Sequence, residues 1–310
     1  MKSISLVLGS GGARGYAHIG VIRAVLEKGY EIKSIAGCSM GAVVGGFYAA
    51  GKLDEYEQWT RSLSYLDVLK LVDISLLSNG AIRGDKLFAK LAQMLNGIQI
   101  EDLNVPFTAV ATDLTQQKEI WFTKGSLEES LRASSAIPSL LMPVMKGSRV
   151  LVDGAVLNPL PITPVVGSHS DAIFAVDLSA DVPLPGGKAP DENEEKQAKH
   201  QLEQHNWFAH LKLKTLQFFE RDDEVETEKA LTANLGKLGV VYQMFDTMQA
   251  SLTRYKIAGY HPDLLIRIPK NSIRFYEFYR ADEQIQLGYD IACRALEGFE
   301  RSEANTYGQL

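Results

Sequence analysis

Gly37-Cys38-Ser39-Met40-Gly41 lies between an apolar run, Ile32 to Ala36, and the small and apolar stretch Ala42 to Ala50. The run reads as a short buried strand and the stretch after it as a helix. A chain that passes from strand to helix through these five residues is held to a sharp turn. Side chains at Gly37 and Gly41 would collide with the neighbouring strand and helix. The serine takes a strained backbone geometry, and its oxygen stands clear of the sheet at the positive end of the following helix. Alone, Gly-x-Ser-x-Gly has a plain reading as turn geometry. The strand before it and the helix after it give it the nucleophile-elbow reading.

A similar unit comes earlier. Ile4 to Leu8 reads as a strand, Gly9-Ser10-Gly11-Gly12-Ala13-Arg14-Gly15 as a turn, and Tyr16 to Lys28 as a helix with Ile19, Val21, Ile22, Val25 and Leu26 on its apolar face. A dinucleotide fingerprint fails here, because the sixth position counted from Gly9 is Arg14. A P-loop lacks its closing Gly-Lys-Ser/Thr. Two readings stay open. The amides of Gly11, Gly12 and Ala13, at a helix N-terminus, can converge on a developing negative charge. Alternatively, a tight turn between strand and helix simply needs glycine.

Further along, helices are expected at Asp54 to Leu69, Lys86 to Leu95, Leu127 to Ala133, Gly239 to Ile257 and Ala281 to Arg301. Strands are expected at Val105 to Leu114, Glu119 to Thr123, Ala172 to Leu178 and Asp263 to Ile268, with a hairpin joining Val144-Met145 to Arg149 through Val152. Lys70 to Ile82 reads as irregular, with a turn at Ser78-Asn79-Gly80. The alternation predicts an α/β fold whose mostly parallel central sheet is flanked by helices on both faces. Residues 1–310 form one domain in this reading, with a helical, polar and aromatic insertion at residues 182–235. That insertion holds the polar stretch Asp191 to Gln204, the aromatic segment Trp207 to Phe219 and the acidic run Asp222 to Glu228. The aromatic segment has four readings: a lid, a dimer contact, a membrane-surface anchor, or packing against the parent domain.

The net charge of −6 argues against a general nucleic-acid binder. Two cysteines, Cys38 and Cys293, make neither a metal nor a disulfide framework and suit a reducing cytosol. The apolar run at the N-terminus stops at Leu8, short of a signal h-region, and no window approaches the roughly 18 apolar residues of a membrane span. The expected location is therefore cytoplasmic. No Asp/Asn-rich loop suggests a calcium site.

A serine nucleophile needs a base. Asp153 ends an apolar strand and is followed by Gly154 and Ala155, as a carboxylate presented on a tight turn would be, although Asp-Gly is also ordinary turn chemistry. Of the six histidines, His18 lies inside the first helix, His200, His205 and His210 fall in the insertion, and His169 and His261 have no triad-like context. Sequence order alone leaves His169 and His261 open, while the pattern suits a two-residue Ser–Asp dyad.

Taken in order, these blocks resemble the patatin-like phospholipases. Gly11-Gly12-Ala13-Arg14-Gly15 is similar to that family's oxyanion block, and Gly37 to Gly41 is similar to its elbow. Asp153-Gly154-Ala155 is similar to its Asp-Gly-Gly/Ala block, and Ser135-Ala136-Ile137-Pro138 to a further block near the site. The resemblance covers Lys2 to Leu178, and the end of the chain from Pro262 also looks like bacterial members. It departs at Ser10, where the family has glycine. The resemblance implies Ser39 as nucleophile, Asp153 as base, an oxyanion hole from Gly11, Gly12, Ala13 and Arg14, and motif glycines at Gly15, Gly37, Gly41 and Gly154. Arg14 has two further readings, a contact for a phosphate headgroup or a structural salt bridge. The implied partner is an acyl-ester lipid, with no metal, no cofactor and no nucleic acid. Peripheral contact with the inner membrane surface through Trp207 to Phe219, and a homo-oligomer, stay open. The rivals are a lipid-binding or regulatory protein of low turnover on the same fold, and a serine peptidase or thioesterase.

Overall fold

A computed structural model describes residues 2–71, 84–138, 141–185 and 243–307. Ser78-Asn79-Gly80 and residues 186–242, with the polar, aromatic and acidic stretches expected as an insertion, lie outside the described residues. The chain divides into two compact units, Met1–Val182 with Met244–Leu310, and Pro183–Gln243. The fold described below is that of the first.

Its sheet is built outward from β1 (Ser3–Leu8), which pairs in parallel with β2 (Glu31–Cys38) on one side and β7 (Ala172–Ala180) on the other. β3 (Phe107–Asp113) extends the parallel block beyond β2, and β8 (Leu264–Pro269) extends it beyond β7. The expected parallel character holds for these strands. The remainder is antiparallel: β4 (Lys118–Phe122) and β6 (Arg149–Asp153) both pair with β3, and β5 (Val144–Lys146) pairs with β6.

Alternation along β1 decides which side chains meet which layer. Ile4, Leu6 and Leu8 enter the main core with α1 (Ala17–Glu27) and α2 (Met40–Ala49). Val7 joins a smaller cluster on the opposite face with Ala36, Leu160, Ile162, Val165 and Ala175. Ile257, from the helix that follows the undescribed stretch (243–259), packs on this second cluster, so both faces are covered. Ser5 shares that face with Val7, and its hydroxyl meets those of Ser34, Ser168 and Ser170, which satisfies a polar group buried at the foot of the sheet.

One expected helix proves to be two. Asp54 to Leu69 is divided into α3 (Leu53–Ser62) and α4 (Tyr65–Leu71), because Leu63 is extended and Ser64 starts a new helix. The Ser64 hydroxyl accepts from the Asp67 amide at 3.3 Å, and the Asp67 carboxylate accepts from the Ser64 amide at 3.2 Å. Ser64-x-x-Asp67 is thus a reciprocal cap that sequence periodicity alone passes over. The other helices are α5 (Asp85–Leu95), α6 (Leu127–Ser134), α7 (243–259) and α8 (Ala281–Tyr307).

α8 crosses α1 at backbone contact. A Cβ on Gly20 would lie 2.0 Å from the Ile285 carbonyl oxygen, and one on Gly288 would lie 2.2 Å from that of Ala17. Two backbones cannot separate to admit a side chain without opening the core around them. Gly20→Val is therefore expected to lower stability by about 2 kcal/mol or more. Urea unfolding followed by circular dichroism measures this, and an unchanged midpoint would show that the crossing is looser than described.

Candidate active site

Ser39 follows β2 and serves as the N-cap of α2. Its backbone sits at φ 55° and ψ −126°, outside the regions that non-glycine residues favour, a strain of about 1–3 kcal/mol that only surrounding packing can sustain. Its neighbours supply that packing. A Cβ on Gly41 would lie 2.1 Å from the Leu8 carbonyl oxygen, and one on Gly37 would lie 2.5 Å from that of Gly41. The Ser39 amide is also held, donating to the Ser134 hydroxyl at 3.0 Å, which in turn donates to the Val110 carbonyl at 2.6 Å. Sequence reasoning missed Ser134; the neighbouring block Ser135 to Pro138 was the available signal.

The candidate base comes from the sheet's change of direction. β2 runs parallel to β3 and ends with Cys38 opposite Val110. β6 runs antiparallel to β3 and ends with Asp153 opposite Ala111. Two strand ends therefore meet head-on along one edge of β3, one residue apart in register. Asp153 arrives beside Cys38, and Ser39 Oγ donates to Asp153 Oδ2 at 2.6 Å. The other carboxylate oxygen accepts from the Ala155 amide at 2.8 Å and lies 3.7 Å from Cys38 Sγ. Gly154 permits this approach, since a Cβ there would lie 2.2 Å from the Val110 carbonyl oxygen.

Both side chains are buried. Desolvation pushes the Asp153 carboxyl up to about 6, against the lowering effect of the bonds from Ser39, Ala155 and Cys38. The Cys38 thiol is pushed well above its ordinary range by burial and then by the Asp153 charge, so it stays a neutral, weak donor. Ser39 Oγ bonds directly to the carboxylate, with no imidazole between them. His169 precedes β7 and His261 precedes β8, at the sheet end opposite Ser39. His18 is committed to the Gly9 carbonyl. His200, His205 and His210 lie outside the described residues.

The glycine-rich turn lies against the elbow, since a Cβ on Gly15 would sit 2.2 Å from Met40 Cγ. Gly12 has φ +56°, with the Phe275 carbonyl so near that only glycine fits. That carbonyl accepts the Ala13 amide at 2.8 Å, and the Arg14 amide donates to Gly11 O at 3.2 Å. Of the four residues expected in the nest, two thus have amides already engaged. The Arg14 side chain is buried and reaches the carbonyls of Gly11 and Lys270 and the carboxylate of Asp246 on α7. It is a structural clamp between the turn and the C-terminal segments. Phe275, Lys270 and Asp246 gave no signal in the sequence, because each acts across a long chain separation. Beyond Asp153, Asn158 Nδ2 donates to Glu119, which also accepts from Lys256 of α7, and this ties the base loop to β4. Among the described residues no cluster of three His, Cys, Asp or Glu could hold a metal ion, and no helix is long and apolar enough to cross a membrane.

A strained, buried serine bonded to a carboxylate beside a glycine-rich turn defines a class of site found in acyl hydrolases. The patatin-like phospholipase profile matches residues 6–166, which contain both Ser39 and Asp153. An uncharacterised NTE family protein of Mycobacterium tuberculosis is 39% identical over 96% of this chain and 92% of its own length. A protein named lysophospholipase NTE1 from Mycosarcoma maydis is 31% identical over 57% of this chain and 10% of its own. Among solved structures, VipD from Legionella pneumophila aligns over 96% of this chain and 67% of its own, with a TM-score of 0.44 and 15% identity. The chain belongs to the patatin-like phospholipase family.

The raised carboxyl has a stability consequence. Asp153 moves from an ordinary 3.8 to about 6 on folding, so the folded state binds its proton more tightly than the unfolded state. The stability this group contributes is fully present below 3.8 and is lost as pH rises through 6. A gap of roughly two units corresponds to ~3 kcal/mol. Asp153→Asn, which keeps the Ala155 bond, is therefore expected to stabilise the protein at pH 8 by about 1–3 kcal/mol and by less at pH 5. Urea unfolding at both pH values tests this, and a gain that does not depend on pH would refute the assignment.

Proposed function

We propose that the protein is a serine hydrolase of lipid acyl esters, of the phospholipase, lysophospholipase or carboxylesterase type, working through a Ser39–Asp153 dyad. The observation that carries the reading is the 2.6 Å bond from Ser39 Oγ to Asp153 Oδ2 inside a buried, strained elbow. Membership of the patatin-like phospholipase family supports the lipid-ester class.

In this mechanism Ser39 Oγ attacks the ester carbonyl as its proton passes to Asp153 Oδ2. The tetrahedral oxyanion takes hydrogen bonds from the amides of Gly11 and Gly12, the two expected nest residues whose amides remain once those of Ala13 and Arg14 are engaged. Collapse breaks the bond to the alcohol, which leaves with the proton from Asp153 and leaves an acyl-Ser39 ester. Water then attacks that ester, Asp153 again takes the proton, and collapse releases the fatty acid and returns the proton to Ser39. An ordinary aspartate, at about 4, would be a feeble base. At about 6, Asp153 combines greater basicity with predominant ionisation at neutral pH. Each oxyanion donor contributes roughly 3–4 kcal/mol to the barrier reduction.

Ser39→Ala and Asp153→Asn are each expected to abolish hydrolysis across a panel of phospholipids, lysophospholipids and p-nitrophenyl acyl esters. Circular dichroism should show both variants folded. Undiminished turnover in either would sink the dyad, and a wild type inert on the whole panel would favour a binding or regulatory role. For the active wild type, kcat/KM is expected to fall as pH drops through about 6 and to level above it, because Asp153 must be ionised to accept the proton. A rate profile flat from pH 5 to 8 would count against Asp153 as the base.

A further inference from the structure

Among the apolar side chains of α1, His18 is wholly buried. Its Nε2 lies 2.8 Å from the Gly9 carbonyl oxygen. A carbonyl only accepts, so Nε2 carries the proton and Nδ1 is left as an acceptor. Nδ1 is buried with no partner among the described residues. Burial also pulls the imidazole down to about 4, against the raising effect of the Gly9 bond, which keeps it neutral at working pH. A leucine at this position would remove the orphaned nitrogen but leave the buried Gly9 carbonyl without this donor, so the cost of the histidine is set against that one bond.

That bond holds one end of a peptide unit whose other end is also held. The Gly9 carbonyl accepts from His18, and the Ser10 amide, in the same peptide plane, donates to the Pro159 carbonyl at 2.9 Å. Pro159 follows the base loop, whose Asn158 amide donates to Gly154 O at 2.8 Å. The elbow helix leans on the same spot, since a Cβ on Gly41 would lie 2.6 Å from the Gly9 carbonyl oxygen. The clamped plane therefore touches α1, the base loop and the elbow, and it leads directly into Gly11 and Gly12.

We infer that His18 is a positioning residue for the oxyanion hole: by holding the Gly9 carbonyl it fixes the peptide plane from which the Gly11 and Gly12 amides are aimed at the oxygen of the ester bonded to Ser39. The inference rests on the hydrolase reading. His18 touches no reacting atom, and its influence reaches the transition state through the turn. Losing it misaims donors without removing them, which costs less than deleting one.

The test compares His18→Leu, which removes both the bond and the orphaned nitrogen, with His18→Gln, whose amide nitrogen can reach the Gly9 carbonyl. The readouts are the rate of covalent labelling of Ser39 by a fluorophosphonate, kcat and KM on a soluble acyl ester, and the urea midpoint. His18→Leu is expected to remain folded, to lose roughly 10- to 100-fold in kcat and labelling rate, and to hold KM within about twofold. His18→Gln is expected to recover most of the loss. Where His18→Leu does not fold, His18→Asn takes its place, because its shorter side chain falls short of the carbonyl. Labelling of His18→Leu at the wild-type rate would overturn the inference while leaving the hydrolase reading intact. So would equal losses in both variants, or a loss confined to KM. A wild type that the fluorophosphonate does not label at Ser39 would instead overturn the hydrolase reading itself.

Discussion

The head-on meeting of β2 and β6 along one edge of β3 is the constraint on which the rest of the site depends. Neither strand could place its terminal side chain alone. β2 brings Ser39 because it is parallel to β3 and stops at Val110, and β6 brings Asp153 because it is antiparallel and stops at Ala111. A slip of one residue in either register would turn the side chains to opposite faces. The small residues around the junction serve this meeting, with Gly154 against the Val110 carbonyl and Gly41 against that of Leu8. So does Ser134, which bridges the Val110 carbonyl and the Ser39 amide.

Around that junction the folded protein carries several local costs. Among the described residues, the elbow keeps a serine at positive φ, the Asp153 carboxyl is buried without a paired cation, and His18 leaves one nitrogen orphaned in the core. Each of these costs free energy in the folded state, and each lies within a few residues of Ser39, Asp153 or the glycine-rich turn. The compensation lies elsewhere, in the apolar layers on both faces of the sheet and in the backbone-tight crossing of α1 and α8.

How much of this could be read from the sequence follows from how local each feature is. The elbow was legible because its strain is met within five residues, by the two glycines that flank Ser39 at a distance of two. Asp153 was legible as a strand-ending acid on a tight turn, yet nothing in its own neighbourhood says that it meets Ser39. That required the antiparallel course of β6, a tertiary fact. The glycine-rich turn reads as a nest of the Gly11, Gly12 and Ala13 amides, to which the resemblance adds Arg14. Phe275, far along the chain, claims one of those amides, and Gly11 claims another through a short turn. Arg14 reads as a headgroup contact or a structural salt bridge on sequence grounds, and the bonds of its buried side chain to Asp246 and to two carbonyls make it a clamp. His18 looked like one more residue of an amphipathic helix, because its partner is a backbone oxygen that leaves no trace in the pattern. The break between α3 and α4 went unread for the opposite reason: the Ser64 cap is local but small against the apolar periodicity on either side.

The crossing of α1 with α8 has a bearing on biosynthesis. Among the described elements α1 leaves the ribosome early, and α8, the helix that packs on it, leaves last. Ser39 is translated long before Asp153, and Phe275 and Lys270, which hold the glycine-rich turn, come later still. Ser39 is therefore made before its partner carboxylate, and the glycine-rich turn and the core around α1 wait for segments made later still. The arrangement around Ser39 thus assembles only after segments far apart in the order of synthesis have met.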